Sequence, residues 1–470
     1  MADDPWASLD ATDQAALVAS GEATARELVE AAARRIEAVD DRLGAVPIRL
    51  FDGARRAARS ADVGRFHGVP FLMKDVGARQ AGQPYYAANR ALREIDHRAE
   101  ADTPLGARFR EVGLVTVGKS NSPEFGLQSN TWPLVYGPTR NPWDPARSAG
   151  GSSGGACAAV AAGLVPAAHA SDGAGSIRIP AAWCGLVGFK PTRDRIVWRH
   201  AAKNRPDVEF VVARSLRDTA VFADVLRAAT PADRPAAECE TALETGPPRL
   251  RVGVCAGPPV AAAVDPDCRD AVQRAADRLD TAGHAVEASA PASLGEQEER
   301  SLHGAVLGPA EFRECLHELA ERLGRAVGPG DVEPYLWELS QASSDATDDE
   351  IAEAARWNAE WVGRTLRWFD AFDLLVTPTV NEPAKRLEDV DPDRLAPFEM
   401  LDTMVPNMAF TEPWNATGQP AISLPLAFSR EGLPVGVQLV AAPGRDALLF
   451  SVAAQLMADA PEARRPAVHA

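Results

Sequence analysis

Residues 148–156 read SAGGSSGGA, placing Ser152 and Ser153 side by side with a glycine pair before and behind them. A nucleophile elbow, a phosphate cradle and a flexible linker would each use such a composition. The pattern G-x-S-x-G occurs twice, centred on either serine. An elbow needs a strand directly before it, and an acid and a histidine later in the chain. TRNPWDPARSA precedes the first glycine pair, which is loop composition, and the C-terminal histidine, His469, stands one residue from the end. A linker fails on the other side. ACAAVAAGLVP follows, and this reads as a buried helix, so the glycines sit within a core where they permit close backbone approach.

A formal P-loop match also occurs, GLVTVGKS at 113–120. Its variable positions, Leu114 to Val117, are themselves an apolar strand, and SNSPEFG after it does not open a helix, so no nucleotide site is expected. Two further segments decide the chemistry. HGVPFLMKD ends an apolar strand on Lys74, and SDGAGSIRIP, residues 171–180, carries Ser176 in a second small-residue loop before an apolar run. A lysine so placed is desolvated, which lowers its pKa and leaves it a neutral base. One serine passes its proton to that base and takes another from a second serine, which becomes the nucleophile. Backbone N–H groups in the small-residue turn can converge on one oxygen as an oxyanion hole. Such chemistry requires neither histidine nor metal.

Together HGVPFLMKD, GKSNSPEFG, TRNPWDPARSAGGSSGGA, SDGAGSIRIPAAWCGLVGFKPT and WNATGQPAISLP resemble the amidase signature family. The resemblance spans nearly the whole chain, and its densest part is roughly residues 67–192. It implies an α/β fold with a large mixed β-sheet core flanked by helices on both faces. It also implies that Lys74 is the base and Ser176 the acyl-forming nucleophile. Ser152 would be the bridging serine, joined to Ser153 by a cis peptide bond. Backbone N–H groups of Gly173, Ala174, Gly175 and Ser176 would form the oxyanion hole, with Ser153, Asp172, Arg178 and Asn121 in support. The separations fit the family pattern, 78 residues from Lys74 to Ser152 and 24 from Ser152 to Ser176. Ala174 stands where the family usually has glycine, a swap similar to that in members hydrolysing nylon-type cyclic amides. If that position needs φ > 0, the extra Cβ costs of the order of 1 kcal/mol.

The implied activity is hydrolysis of a carboxylic acid amide through a Ser-Ser-Lys triad and an acyl-enzyme. Two alternatives are the glutaminase subunit of a tRNA-dependent amidotransferase, in which glutamine typically replaces Ile179, and a non-catalytic amidase-like binding protein. Trp132 and Trp414, both read as loop residues beside the quoted motifs, are the candidates for an apolar substrate pocket. Trp337, Trp357 and Trp361 fall on helical patterns and are read as core.

The 470 residues, 46% hydrophobic and 24% charged, carry a formal charge of −17. That balance disfavours nucleic acid and anionic membrane surfaces. MADDPWASLD lacks a basic n-region and an apolar h-region, and no apolar run reaches transmembrane length. Six scattered cysteines without C-x-x-C and eight histidines without a ligand cluster predict reduced thiols in a cytoplasm, no metal and no cofactor. The expected partner is a small-molecule amide, with a homodimer as the default assembly.

The chain reads as a single domain over 1–470, with a mostly helical insertion at about 290–370 and a polar surface connection at 230–249. Thr24 with Glu27, and Thr347 with Glu350, match capping boxes. The first precedes a stripe of Leu28, Val29, Ala32, Ile36 and Val39. The second precedes a stripe of Ile351, Ala355, Val362, Leu366 and Phe369. Asp265, Pro266 and Gly283 bound a helix within a βαβ unit. Buried strands are expected at Leu114 to Val117, Leu250 to Cys255, Leu374 to Thr377, Ala421 to Leu426 and Val435 to Ala441.

Overall fold

The apolar runs of the sequence become strands of one eleven-stranded sheet. In chain order they are β1 (Ile48–Arg49), β2 (Pro70–Lys74), β3 (Val115–Ser120), β4 (Ala167–Asp172), β5 (Val187–Lys190) and β6 (Val208–Ala213), followed by β7 (Arg251–Val254), β8 (Ala285–Ala288), β9 (Leu374–Pro378), β10 (Ala421–Phe428) and β11 (Pro434–Ala441). The structure is a computed structural model. It describes residues 4–59, 64–196, 206–227, 237–257, 262–341, 346–458 and 466. His469 and residues 230–236 of the polar connection lie outside that set.

Across the sheet the strands run β1-β3-β2-β4-β6-β5-β10-β11-β9-β7-β8. β2 is parallel to β3 and β4, and β7 is parallel to β8 and β9. The other neighbours are antiparallel, so the sheet is mixed. All residues of β2, β3, β5, β6, β9 and β11 are buried, as continuous apolar strands between helical layers must be.

Local signals place the helices. The Thr24–Glu27 capping box opens Ala25–Val39, whose buried side holds Leu28, Val29, Ala32, Ile36 and Val39. Burial of each large apolar side chain there contributes about 1.5–3 kcal/mol, more than the box itself. Asp265 caps Pro266–Thr281 by accepting from the Asp267 N–H at 2.7 Å, and that helix joins β7 to its parallel neighbour β8.

One helix turns differently from its sequence pattern. Thr347 and Glu350 do open Asp348–Arg367, but its buried residues are Ala354, Trp361 and Thr365. Ile351 is exposed, as is Ala355. Polar anchoring sets that rotation. The Trp361 indole donates to the Ser293 carbonyl at 2.9 Å, and the Thr365 hydroxyl bonds that of Ser293 at 2.8 Å. Among the described residues no helix is long and apolar enough to cross a membrane.

The sheet also sets where chemistry can occur. The β2–β4 ladder pairs Phe71 with Ala167 and Leu72 with Ala168, then stops two residues before Lys74. At the carboxyl ends of these parallel strands the backbones part, which is where open α/β sheets place their ligand sites.

Candidate active site

Lys74 ends β2 fully buried, and its amine lies among three hydroxyls: Ser152 Oγ at 2.7 Å, Ser171 Oγ at 2.9 Å and Ser153 Oγ at 3.1 Å. Burial drives its pKa down to about 8, against the opposing pull of Glu209 and Asp172. The hydroxyl network narrows where its lone pair can point. Ser153 Oγ donates its own proton to the Ser171 carbonyl at 3.2 Å, so it accepts from Lys74. That leaves the Ser152 and Ser171 hydroxyls as the two that can donate to the lone pair of a neutral amine, with Ser152 the nearer. Ser171 was not singled out from the sequence. On β4 it faces the same side as His169, two residues back, and strand periodicity alone would have offered it.

The opening SAGGSSGGA turn has its first glycine pair and Ser152 just ahead of the buried helix Gly154–Ala161. The cis peptide bond is Gly151–Ser152, one bond earlier than the resemblance implied. A glycine on the amino side brings no Cβ to that crowded junction. The second glycine pair serves close packing: a Cβ on Gly155 would stand 2.4 Å from the Asn121 backbone nitrogen.

The Ser176 loop meets this turn through one backbone bond, from Ser153 N–H to the Ser176 carbonyl at 3.2 Å. Ser176 stays partly exposed, whereas Ser152 and Ser153 are buried. Asp172 shapes the loop, accepting from the N–H of Gly175 at 2.7 Å and of Ile177 at 3.2 Å. The Gly175 donor is therefore committed to Asp172, which corrects its expected place in the oxyanion hole. Ala174 does not adopt a left-handed backbone; the following Gly175 does, at φ +126°, so the alanine brings no strain of that kind.

Arg178 fixes Asp172 from below. It donates through Nε at 2.9 Å and Nη2 at 2.8 Å, with both side chains fully buried. Burial works to raise the Asp172 pKa, but the Arg178 charge and hydrogen bonds hold it at about 2. Arg178 also reaches Gln438 Oε1 and the Thr411 carbonyl, each at 2.9 Å, and Asn415 Oδ1 at 2.5 Å. Asn415 Nδ2 returns to the Asp172 carbonyl at 2.8 Å, and Thr411 Oγ1 donates to the Ala174 carbonyl at 2.7 Å. Sequence reasoning named none of Thr411, Asn415 and Gln438. Asn415 lies inside the quoted WNATGQP stretch, which was its available signal.

Two supporting expectations change. Asn121 is engaged with loops: its Nδ2 binds Thr139 Oγ1 at 3.0 Å and the Gly44 and Gly137 carbonyls at 3.1 Å, holding them against the helix that follows Ser153. Trp414 is not a pocket wall. It is 1% exposed, packs with Leu375, Ala421 and Val440, and donates to the Phe410 carbonyl at 2.8 Å. Trp132 is half-buried, next to Thr131, whose hydroxyl donates to the Gly150 carbonyl at 2.8 Å. Ile179 sits in an apolar cluster with Ala182, Trp183, Val380 and Ala384.

A desolvated lysine bonded to serine hydroxyls, beside a small-residue turn that carries a further serine, is the composition of a serine-type acyl-transfer site. The comparisons agree. The chain matches the Amidase family model over residues 27–450 and belongs to that family. It is 40% identical over 478 residues to a 6-aminohexanoate-cyclic-dimer hydrolase of Paenarthrobacter ureafaciens, covering 97% of this chain and 96% of that protein. A solved 6-aminohexanoate cyclic dimer hydrolase complexed with substrate superposes with a TM-score of 0.91 at 39% identity, covering 98% of this chain and 99% of the other. A bacterial aryl acylamidase of the amidase signature family gives 0.85 at 27% identity, covering 96% of each chain. The protein is thus an amide hydrolase with the amidase signature fold, and neither the glutaminase-subunit nor the binding-protein alternative is favoured.

Proposed function

We propose that this enzyme opens small, neutral cyclic amides through a Lys74–Ser152–Ser176 relay. Neutral Lys74 takes the Ser152 proton while Ser152 takes that of Ser176, and Ser176 Oγ attacks the amide carbonyl carbon. The N–H groups of Gly173, Ala174 and Ser176 receive the negative oxygen. The tetrahedral intermediate then breaks its C–N bond as the relay returns the proton to the departing amine. In a ring that amine stays attached to the acyl group, so no ammonia is released. Water, activated by the same relay, next splits the ester to give the carboxylate and frees Ser176.

The likeness to the cyclic-dimer hydrolases, held over nearly the full length of both chains, is the observation that carries the substrate class. The apolar setting of Ile179 supports it, because this is where the tRNA-linked glutaminases place a polar side chain. Trp132, half-buried beside the relay turn, is our candidate pocket wall. All six cysteines are free, in keeping with a reducing cytoplasm.

A panel of amides tests the substrate class. Purified enzyme is given the cyclic dimer of 6-aminohexanoate, its linear dimer, an anilide and a primary amide. Mass spectrometry follows the gain of one water, and a colorimetric assay follows ammonia. The cyclic amide should have the highest kcat/KM. Preference for the primary amide, with ammonia released, would remove the cyclic reading while leaving the relay intact.

A further inference from the structure

Behind the lysine lies a buried pair that the relay does not use. His169 on β4 fills the gap where the β2–β4 ladder ends: its Nδ1 accepts the Lys74 backbone N–H at 3.2 Å. An imidazole nitrogen that accepts carries no proton, so the proton of a neutral ring sits on Nε2. Nε2 is hydrogen-bonded to Glu209 Oε2, and the same carboxylate oxygen accepts from the Ala78 N–H at 3.2 Å. His169 is fully buried and Glu209 is 2% exposed. The loop after Lys74 closes on this carboxylate so tightly that a Cβ on Gly77 would lie 2.1 Å from Glu209 Oε1. The Phe109 ring packs against His169, with centroids 5.5 Å apart, and holds the imidazole in place.

The surrounding charges single out Glu209. Asp172, at the end of β4, is bound to Arg178 and flanked by Lys190 on β5, so its charge is already balanced. Cys157, on the helix after Ser153, is held protonated by burial. Asp75, next along the chain, accepts from the N–H groups of Tyr86 and Ala88 and the hydroxyl of Tyr136, and has Lys119 as its neighbouring cation. Asp207, just before β6, borders Gly173 at the mouth of the site. Glu209, by contrast, has only neutral hydrogen-bond partners among the described residues, the His169 ring and an amide. Among the described residues, the cation whose charge it opposes is Lys74 in its ammonium form.

We infer that Glu209, anchored by His169 to the Lys74 backbone, is the counter-charge that favours the protonated Lys74 formed as Ser176 attacks, which makes both of them positioning residues for the reaction. This rests on the relay reading above. Each turnover transfers the Ser176 proton, by way of Ser152, to the Lys74 amine. A buried ammonium is costly unless a charge faces it. Glu209 supplies that charge without bonding the amine, so the lysine stays basic enough to accept the proton that Ser152 delivers.

The pH dependence of Ser176 labelling by a fluorophosphonate tests this without needing the natural substrate. In the wild type the labelling rate should rise with pH through about 8, as Lys74 loses its proton. In Glu209→Gln the rise should move down by about one pH unit, since an opposite charge has been removed, and the plateau rate should fall several-fold because a less basic lysine pulls less strongly on the proton. Glu209→Asp keeps the charge, so its midpoint should stay near that of the wild type even if its plateau falls. A Glu209→Gln midpoint equal to that of the wild type would overturn the inference. So would a Glu209→Asp midpoint displaced downward by a full unit, and that reading stands even if the glutamine variant does not fold. Lys74→Met separates the two claims: labelling at the wild-type rate in that variant would sink the relay itself, whereas lost labelling with an unmoved Glu209→Gln midpoint would sink only the counter-charge.

Discussion

Lys74→Met is expected to lower kcat by about four orders of magnitude and leave the protein folded. The methionine keeps most of the buried stem volume, so no large cavity opens, and it removes the amine that lies among the Ser152, Ser153 and Ser171 hydroxyls. Without that base Ser152 has no acceptor for its proton, and Ser176 stays a neutral, weakly nucleophilic alcohol. The loss should fall on kcat more than on KM, because the amine acts on a serine and not on the amide. Steady-state kinetics with the best amide of the panel, beside a thermal unfolding curve, measures both parts. Retention of more than about one-tenth of the wild-type kcat would point to another base.

The second large effect concerns stability. Arg178→Met leaves Asp172 fully buried without its hydrogen-bonded counter-ion, with Lys190 nearby as the remaining cation, and takes hydrogen bonds from Gln438, Asn415 and the Thr411 carbonyl. Breaking a buried pair from one side costs about 3–5 kcal/mol. The sign with pH follows from Asp172. Its folded pKa, held at about 2, lies below the ordinary 3.8, so the ionised carboxylate stabilises the fold above the ordinary value, and that contribution disappears as pH falls through about 2. Without Arg178, burial instead raises the carboxylate pKa. Denaturant titrations at pH 7 and pH 4 should therefore show a large loss at the higher pH and a smaller one at the lower. Equal stability of variant and wild type at pH 7 would contradict this account of the loop.

Much of the fold was legible because its signals are local. The capping boxes at Thr24 and Thr347, the cap at Asp265 and the apolar runs of β7, β9, β10 and β11 each depend on residues within one element. The Lys74–Ser152 contact, and Ser176 as the proposed nucleophile, were suggested for a related reason. A lysine ending an apolar strand and serines in glycine-rich turns are unusual against their own neighbours.

What the sequence concealed depends on partners far along the chain. Ser171 matters because it meets Lys74 from 97 residues away, and Glu209 because β6 returns it beside His169, 40 residues earlier. Asn415 and Gln438 reach Arg178 from 237 and 260 residues away. Trp414 read as a loop residue near a motif, yet β9, β10 and β11 supply the apolar wall that encloses it. The Asp348–Arg367 stripe was misread because periodicity counts apolar residues, whereas the bonds of Trp361 and Thr365 to Ser293 set the helix rotation. The Gly175 donor was misassigned because its hydrogen bond to the Asp172 carboxylate is a matter of turn geometry that composition does not specify.

The central claim is that Ser176, and neither serine of the SAGGSSGGA turn, forms the bond to substrate. Reaction of the wild-type enzyme with a fluorophosphonate, followed by proteolysis and mass spectrometry of the peptides, locates that bond directly. The account predicts a single phosphonylated serine at Ser176, and no adduct in Ser176→Ala. An adduct on Ser152 or Ser153 that persists in Ser176→Ala would contradict it.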